Sequence, residues 1–327
     1  MIWLLGMPLL HYLSCQLSKM EPLKISQTLH EDPLKIDNLY LEKMESTKPA
    51  LVILAAGLGS RFGGAKQIAP FGMQGHFLFE YACLDAMRAG FEKVLVITKK
   101  ELVTIIDEQL QKWIHPSRFQ IVIQEQTRDK PWGTAHALHF IKDHWKGPFL
   151  ILNADDYYGS TICQRTIDLL NNGIDSAALV YELGPTLSAN GSVARGICTI
   201  ADGEISQIEE VLQIERIAGL ITDEFQRTYA SNTPVSMNAW LLNASFLLLL
   251  EEKVNQFLEV HAQDPKAEIY LPRVINELIL AKELKVAIAT MPSEWFGITY
   301  AADLPHAQSQ ISYLEQQIYP SVFPLWT

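Results

Sequence analysis

The apolar run at residues 51–55, LVILA, empties directly into a loop carrying Gly57, Gly59, Gly63 and Gly64, with Arg61 and Lys66 beside them. A run this short and this uniformly apolar reads as a strand buried in a covered sheet. Where such a strand gives way to glycines, a row of backbone N–H groups is exposed, and the missing Cβ atoms let a ligand approach closely. The two cations suit phosphate oxygens. The stretch therefore predicts a site that grips a polyphosphate, a nucleoside triphosphate first among them.

From residue 50 onward, strand-like and helix-like segments alternate. Strands are expected at 51–55, 93–98, 119–124, 149–153 and 176–183, with helices at 77–89, 101–113, 133–144 and 161–171. In the first of these helices Phe77, Tyr81, Leu84 and Met87 recur at helical spacing. The rhythm predicts an α/β fold, a Rossmann-like, mostly parallel mixed sheet flanked by helices. Ligands of such sheets bind beyond the carboxyl ends of the strands, where the glycine loop, Gln124 and Asp155 all fall. The later half reads differently. It predicts a hairpin (196–200 with 204–209) turning at Asp202-Gly203, a strand at 235–242 and a helix at 245–261. A helix at 269–284 with Pro272 near its start, a strand at 284–290, a strand or loop at 295–300 and a helix at 301–318 follow. No linker or repeat interrupts this part, so 49–327 reads as one domain whose later half forms the acceptor-binding portion.

A chain of 327 residues, 48% hydrophobic, has ample material for a substantial core. The formal net charge of −11 argues against nucleic acid or an anionic membrane face as a partner. An anionic nucleotide remains compatible if Arg61, Lys66, Arg128 and Lys130 supply local positive charge. Cys15, Cys83, Cys163 and Cys198 form no CxxC pair and read as incidental thiols of a reducing cytoplasm. The first 17 residues are apolar, yet they lack a basic n-region and are short for a membrane span. Residues 1–48 are expected to be an N-terminal extension, either poorly ordered or preceding a true start at Met44, with a weak anchor as the minor alternative. Among nine histidines, His136 and His139 lie three apart with no third metal ligand in sight. A homo-oligomer is compatible with all of this.

The glycine loop is neither GxGxxG nor GxxxxGK[ST], since Lys66 is followed by Gln67, so a dinucleotide fold and a P-loop NTPase are both disfavoured. It resembles instead the signature of the nucleotidyltransferase superfamily of nucleotide-sugar synthesis, LAAGxGxR followed several residues later by Lys. Ala65 stands where that family usually has Pro, and Ser60 where it commonly has Thr. The resemblance implies a fold of the nucleotide-diphospho-sugar transferase type. It implies transfer of a nucleotidyl group from an NTP to a phosphorylated acceptor, a sugar 1-phosphate in the leading reading, with release of pyrophosphate. It puts Leu54, Ala55, Ala56, Gly57, Gly59 and Ser60 against the nucleotide. Arg61 and Lys66 become the catalytic cations, Arg61 on the β/γ end and Lys66 on the α-phosphate or the incoming phosphate.

Two further stretches carry the resemblance. Residues 131–137, PWGTAHA, match the family's G-[TL]-A-x-A element, which implies that Gly133 and Thr134 border the base and that Gln124, or Gln126 second, recognises it. Residues 150–156, LILNADD, match its strand ending in a metal-binding aspartate, which implies Mg2+ on Asp155 with Asp156 assisting. The family's later W-x-D reads Trp295-Phe296-Gly297 here, so Asp156, a water or substrate phosphates are left to fill the place of that carboxylate. On the acceptor side the resemblance implies Arg195 and Gly196, Asn238 and Glu268, as a phosphate-binding cation and hydroxyl-binding groups. Phosphocholine or another phosphorylated alcohol is the nearest alternative acceptor. A nucleotide-sugar-binding module without catalysis is the alternative of a different class.

Overall fold

The computed structural model describes residues 48–57, 65–125, 128, 130–292 and 294–319. All of them lie in the compact unit Ser46–Thr327. The expectations for the segment before residue 48, Cys15 included, lie outside the described residues.

The apolar runs form strands close to where the sequence puts them: β1 Ala50–Leu54, β2 Lys93–Thr98, β3 Phe119–Ile123, β4 Phe149–Asn153 and β5 Ala177–Glu182. Then follow β6 Val193–Ala201, β7 Glu204–Ile217, β8 Leu220–Thr222, β9 Thr228–Tyr229, β10 Pro234–Leu242 and β11 Ala287–Thr290. They make one sheet in the order β9-β8-β7-β11-β5-β10-β4-β1-β2-β3, with β6 pairing both β7 and β10. Pairing is parallel from β4 through β1 and β2 to β3, and again between β5 and β11. β10 is inserted antiparallel between β4 and β5. The chain builds outward from β1 to β2 and β3, then returns to lay β4 on the other side of β1. The crevice beyond the carboxyl ends of β1 and β4 is therefore the topological switch point, the place where such sheets bind ligands.

Seven helices of the described chain cover the sheet: α1 Leu78–Ala89, α2 Val103–Leu110, α3 Thr134–His139, α4 Ile162–Asn171, α5 Ala244–His261, α6 Leu271–Leu280 and α7 Leu304–Gln317. Alternate residues of β1 point to opposite cores. Leu51 and Ile53 pack with α1, α2, α4 and α7, through Phe79, Ile106, Ile162 and Ile311 among others. Ala50, Val52 and Leu54 pack with α3, α5 and α6, through Leu138, Phe246 and Val274. Burial on both faces is why the parallel strands read as unbroken apolar runs.

Three elements depart from expectation. The helix foreseen over 269–284 starts only at Leu271, because Ile269 is engaged elsewhere. Its N–H donates to Trp132 O at 2.7 Å, and its carbonyl accepts from Ala135 N at 3.1 Å. The helix foreseen over 133–144 closes at His139 and continues as turns. β7 runs to Ile217, well past the expected hairpin, and its buried residues, Ile205, Ile208, Val211 and Ile214, recur every third position. Register shifts between Ile205 and Gln207, and between Val211 and Ile214, reset the in-out alternation, which hides the strand from a period-two reading.

α1, which backs β1, is fastened by two buried carboxylates. Glu80 caps the helix by accepting from Phe77 N at 2.6 Å, and it also takes Gln109 Nε2 at 3.0 Å and Trp113 Nε1 at 2.6 Å. Asp85 accepts from the Tyr319 hydroxyl at 2.7 Å. Burial pushes the Asp85 carboxyl up to about 7, against the pull of the Tyr319 hydrogen bond and of Arg88. The fold thus prefers the protonated acid. Its contribution is present below the unfolded value of about 4 and is lost as pH rises toward 7. Asp85→Asn should flatten the pH dependence of unfolding across that window and raise stability at pH 8 by roughly 2–4 kcal/mol. Denaturant titrations at acid and alkaline pH measure this, and an unchanged profile would contradict it.

Candidate active site at the switch point

A cavity of about 680 Å³ opens at the carboxyl ends of β1 and β4. Its wall includes Leu54, Ala56, Gly57, Lys66, Gln124, Gly133, Thr134, Asp155 and Asp156. Arg195, Gly196, Asn238 and Glu268 stand on the same wall, so thirteen of the residues singled out in the sequence share one concavity. Ala55 does not reach it. It is fully buried, its N–H donates to Ile97 O at 2.7 Å, and its carbonyl accepts from Thr98 Oγ1. Gly59, Ser60, Arg61 and Gln126 lie outside the described residues.

The turn at Lys66–Ile68 meets the end of β4 across the crevice. The Lys66 ammonium forms an ion pair with Asp155 and donates to Ile298 O at 3.0 Å. Both partners are about one-fifth exposed, so the pair faces the cavity without being sealed from solvent. Gln67, which sequence reasoning passed over, is buried and donates from Nε2 to the carbonyl of Gly57, fixing the exit of β1. Its Oε1 and the indole Nε1 of Trp295 are buried without a partner, and both side chains belong to the cavity wall. A buried acceptor and a buried donor left unsatisfied beside a cavity are what a ligand site provides before its ligand arrives.

Asp156 is held by a chain of amides. Asn153 Nδ2 donates to Asp156 Oδ2 at 2.9 Å, Asn238 Nδ2 donates to Asn153 Oδ1 at 2.8 Å, and Trp240 Nε1 donates to Asn238 Oδ1 at 3.0 Å. Asn238 sits at φ +63° where β10 changes register between Ser236 and Trp240, and that bulge aims its side chain at Asn153. Burial, with Asp155 next to it, pushes the Asp156 carboxyl above its ordinary range. Gly297 pairs with Asp156 in a short antiparallel ladder, and a Cβ at Gly297 would overlap Asp156 Oδ1. The space a side chain at position 297 would enter is thus taken by the Asp156 carboxylate and the Trp295 ring. The pair Asp155 and Asp156 suits a hard cation that keeps several waters and takes its remaining oxygens from substrate phosphates. Among the described residues no cluster of three or more acidic, His or Cys ligands exists that would make a closed metal cage.

At the other end of the cavity, Gln124 extends β3 with its backbone N–H on Thr98 O at 2.8 Å. Its Nε2 donates to His136 Nδ1 at 3.1 Å. The His136 ring lies between Trp132 and Phe140, and burial, aided by His139 and Arg128, pushes its pKa down to about 4. Gly133, at φ +102°, is pressed so closely on the Ile269 carbonyl that a Cβ there would overlap it. Thr134, on the cavity wall, accepts from Leu271 N at 2.9 Å through its hydroxyl, which starts α6. Arg128 does not point its charge at the cavity. It stacks on Trp132 at 3.4 Å from the ring centroid and donates to the carbonyls of Lys130, Asp264 and Ala267, stitching the two loops together.

On the acceptor side, Arg195 is buried, donates to Thr186 through Oγ1 and O, and packs 5.1 Å from the Trp295 ring. Burial lowers its pKa only to about 10, so it keeps its charge at neutral pH. Glu268 receives Lys130 at 2.5 Å and the Tyr270 hydroxyl at 2.6 Å. Glu210 on β7 also lines the cavity, and the irregular register of β7 concealed it from the sequence reading.

The profile of the family described as MobA-like NTP transferase domain matches residues 51–216. No curated protein matches the sequence significantly. Solved structures share the fold. A Bacillus anthracis protein assigned as a glucose-1-phosphate thymidylyltransferase superposes with TM-score 0.57 at 15% identity, over 80% of this chain and 95% of that one. The inositol-1-phosphate CTP transferase of T. maritima gives 0.58 at 12% identity, over 84% and 99%. The CTP:phosphocholine cytidylyltransferase of Streptococcus pneumoniae gives 0.54 at 14% identity, over 80% and 98%.

The overlap at Gly297 yields a direct test. Gly297→Ala should destabilise the fold by about 1–3 kcal/mol, as overpacking does. Asp156→Ala in the same chain should recover at least part of that loss, a coupling visible in a double-mutant cycle of unfolding free energies. Strict additivity of the two changes would show that the carboxylate does not occupy this space.

Proposed function

This chain belongs to the family of MobA-like NTP transferase domains, and on that premise we propose that it transfers a nucleotidyl group from a nucleoside triphosphate to a sugar 1-phosphate. The observation that carries the reading is the Lys66–Asp155 pair, a cation and a carboxylate brought together at the switch point above a cavity large enough for two substrates. An oxygen of the acceptor phosphate attacks the α-phosphorus in line. The bond from that phosphorus to the bridging oxygen breaks, and pyrophosphate leaves. No side-chain nucleophile and no net proton transfer is needed, so the protein's task is positioning and neutralising charge. Lys66 moves from Asp155 to the phosphates, Arg61 and the glycine loop take the triphosphate tail, and Gln67 keeps Gly57 in place. Asp155 and Asp156 would hold Mg2+, which would supply charge neutralisation at the phosphate oxygens. Arg195 serves the acceptor phosphate, while Asn238, Glu210 and Glu268 offer hydrogen bonds to its hydroxyls.

The wall chemistry favours a polyhydroxylated acceptor over phosphocholine. Glu210, Asn238 and Glu268 offer hydrogen bonds to several hydroxyls, and the Trp295 ring is already covered by the Arg195 guanidinium. Against a binding module without catalysis, we read Asp156, whose carboxylate lies beside Gly297, as the carboxylate that serves the metal there. The reading takes 49–327 as the catalytic unit and places it in the cytoplasm, where NTP is available. Three buried thiols, Cys83, Cys163 and Cys198, carry no disulfide, and no helix among the described residues is long and apolar enough to cross a membrane.

A pyrophosphate-release assay across the common NTPs, with sugar 1-phosphates and phosphocholine as acceptors, tests the proposal. Release should require Mg2+ and a sugar 1-phosphate. Lys66→Ala and Arg61→Ala should each lower turnover by about 10²–10³-fold while the chain stays folded. Full activity in Lys66→Ala would overturn the assignment.

A further inference from the structure

Gln124 and His136 form a pair whose orientation has a chemical consequence. The Gln124 backbone is tied into the sheet through Thr98, yet a carboxamide can exchange its oxygen and nitrogen by a half-turn, and the backbone does not choose between them. His136 does. Its ring is buried between Trp132 and Phe140 and stays neutral at physiological pH, so one nitrogen is a donor and the other an acceptor. With Nδ1 accepting from Gln124 Nε2, the proton sits on Nε2, and a flipped amide would set an oxygen lone pair against that of Nδ1. The amide oxygen is then the group Gln124 offers to the cavity it lines.

We propose that His136 is a positioning residue for base selection, holding Gln124 as an acceptor so that the site takes a base with a ring N–H (uracil, thymine or guanine) over cytosine or adenine. This rests on reading the cavity as a nucleotide site. A ring N–H meets the amide oxygen with a hydrogen bond. The unprotonated ring nitrogen of cytosine or adenine meets it lone pair to lone pair. A site built around one such bond rejects the analogue that lacks it by a large factor, because its own polar group is left unpaired.

Two measurements decide it. Long-range ¹H–¹⁵N spectra of ¹⁵N-histidine-labelled protein, with His136 assigned by its loss in His136→Phe, should show the proton on Nε2 from pH 8 down to 5. A proton on Nδ1 would overturn the proposal without reference to any substrate. Binding of UTP, dTTP, GTP, CTP and ATP should be measured by calorimetry on wild type, His136→Phe and His136→Asn. Wild type should favour UTP, dTTP or GTP by about tenfold or more over CTP and ATP, and His136→Phe should lose most of that ratio. His136→Asn, which keeps a polar partner, should retain part of it. A wild type preferring CTP or ATP, or a His136→Phe variant with undiminished selectivity, would overturn the proposal. Selective NTP binding without pyrophosphate release would count against nucleotidyl transfer while upholding the role of His136.

Discussion

The ion pair between Lys66 and Asp155 joins the turn at Lys66–Ile68, which follows β1 in the chain, to the residues just past the end of β4. β1 lies between β2 and β4, and the long apolar runs that bury it on both faces hold it there. Around that pair the supports converge from distant parts of the chain. Ile298 accepts from Lys66 and donates to the carbonyl of Asp155, while Gln67 grips Gly57. In a protein of formal net charge −11, the described cavity wall carries Lys66, Lys130 and Arg195 alongside four carboxylates, Asp155, Asp156, Glu210 and Glu268.

The rest of the cavity is divided by the same logic. Toward β3 the wall is formed by Gln124, with His136 behind it, and by the 131–134 turn, pressed on Ile269 and fastened by Arg128. Toward β6, β7 and β10 it carries Arg195, Glu210 and Asn238. Asp156 stands between the two, its position set by amides on one side and by the bare backbone of Gly297 on the other. The space that a side chain at position 297 would enter is filled by the Asp156 carboxylate and the Trp295 ring.

Much of this was legible in the sequence because it depends on short-range patterns. Unbroken apolar runs mark parallel strands, and strand ends followed by Gly57 or by Asp155-Asp156 mark the ligand edge. What stayed hidden depends on contacts between distant residues. Arg128 reads as a free cation until Asp264 and Ala267 supply its acceptors. Ala55 belongs to the signature yet is consumed by the ladder with β2. Glu210 was concealed by two register shifts, and Gln67 by being one residue past the lysine that drew attention. His136 was read only as a poor metal ligand, since nothing in the sequence couples it to Gln124.

The most direct measurement is a crystal structure with Mn2+ and a non-hydrolysable NTP analogue, the metal located by anomalous scattering. The ion should lie on the Asp155 carboxylate with Asp156 beside it, and the Lys66 ammonium should have moved from Asp155 onto the phosphates. A nucleotide bound elsewhere, or a metal with neither aspartate within reach, would contradict the central claim that the ends of β1 and β4 together form the catalytic site.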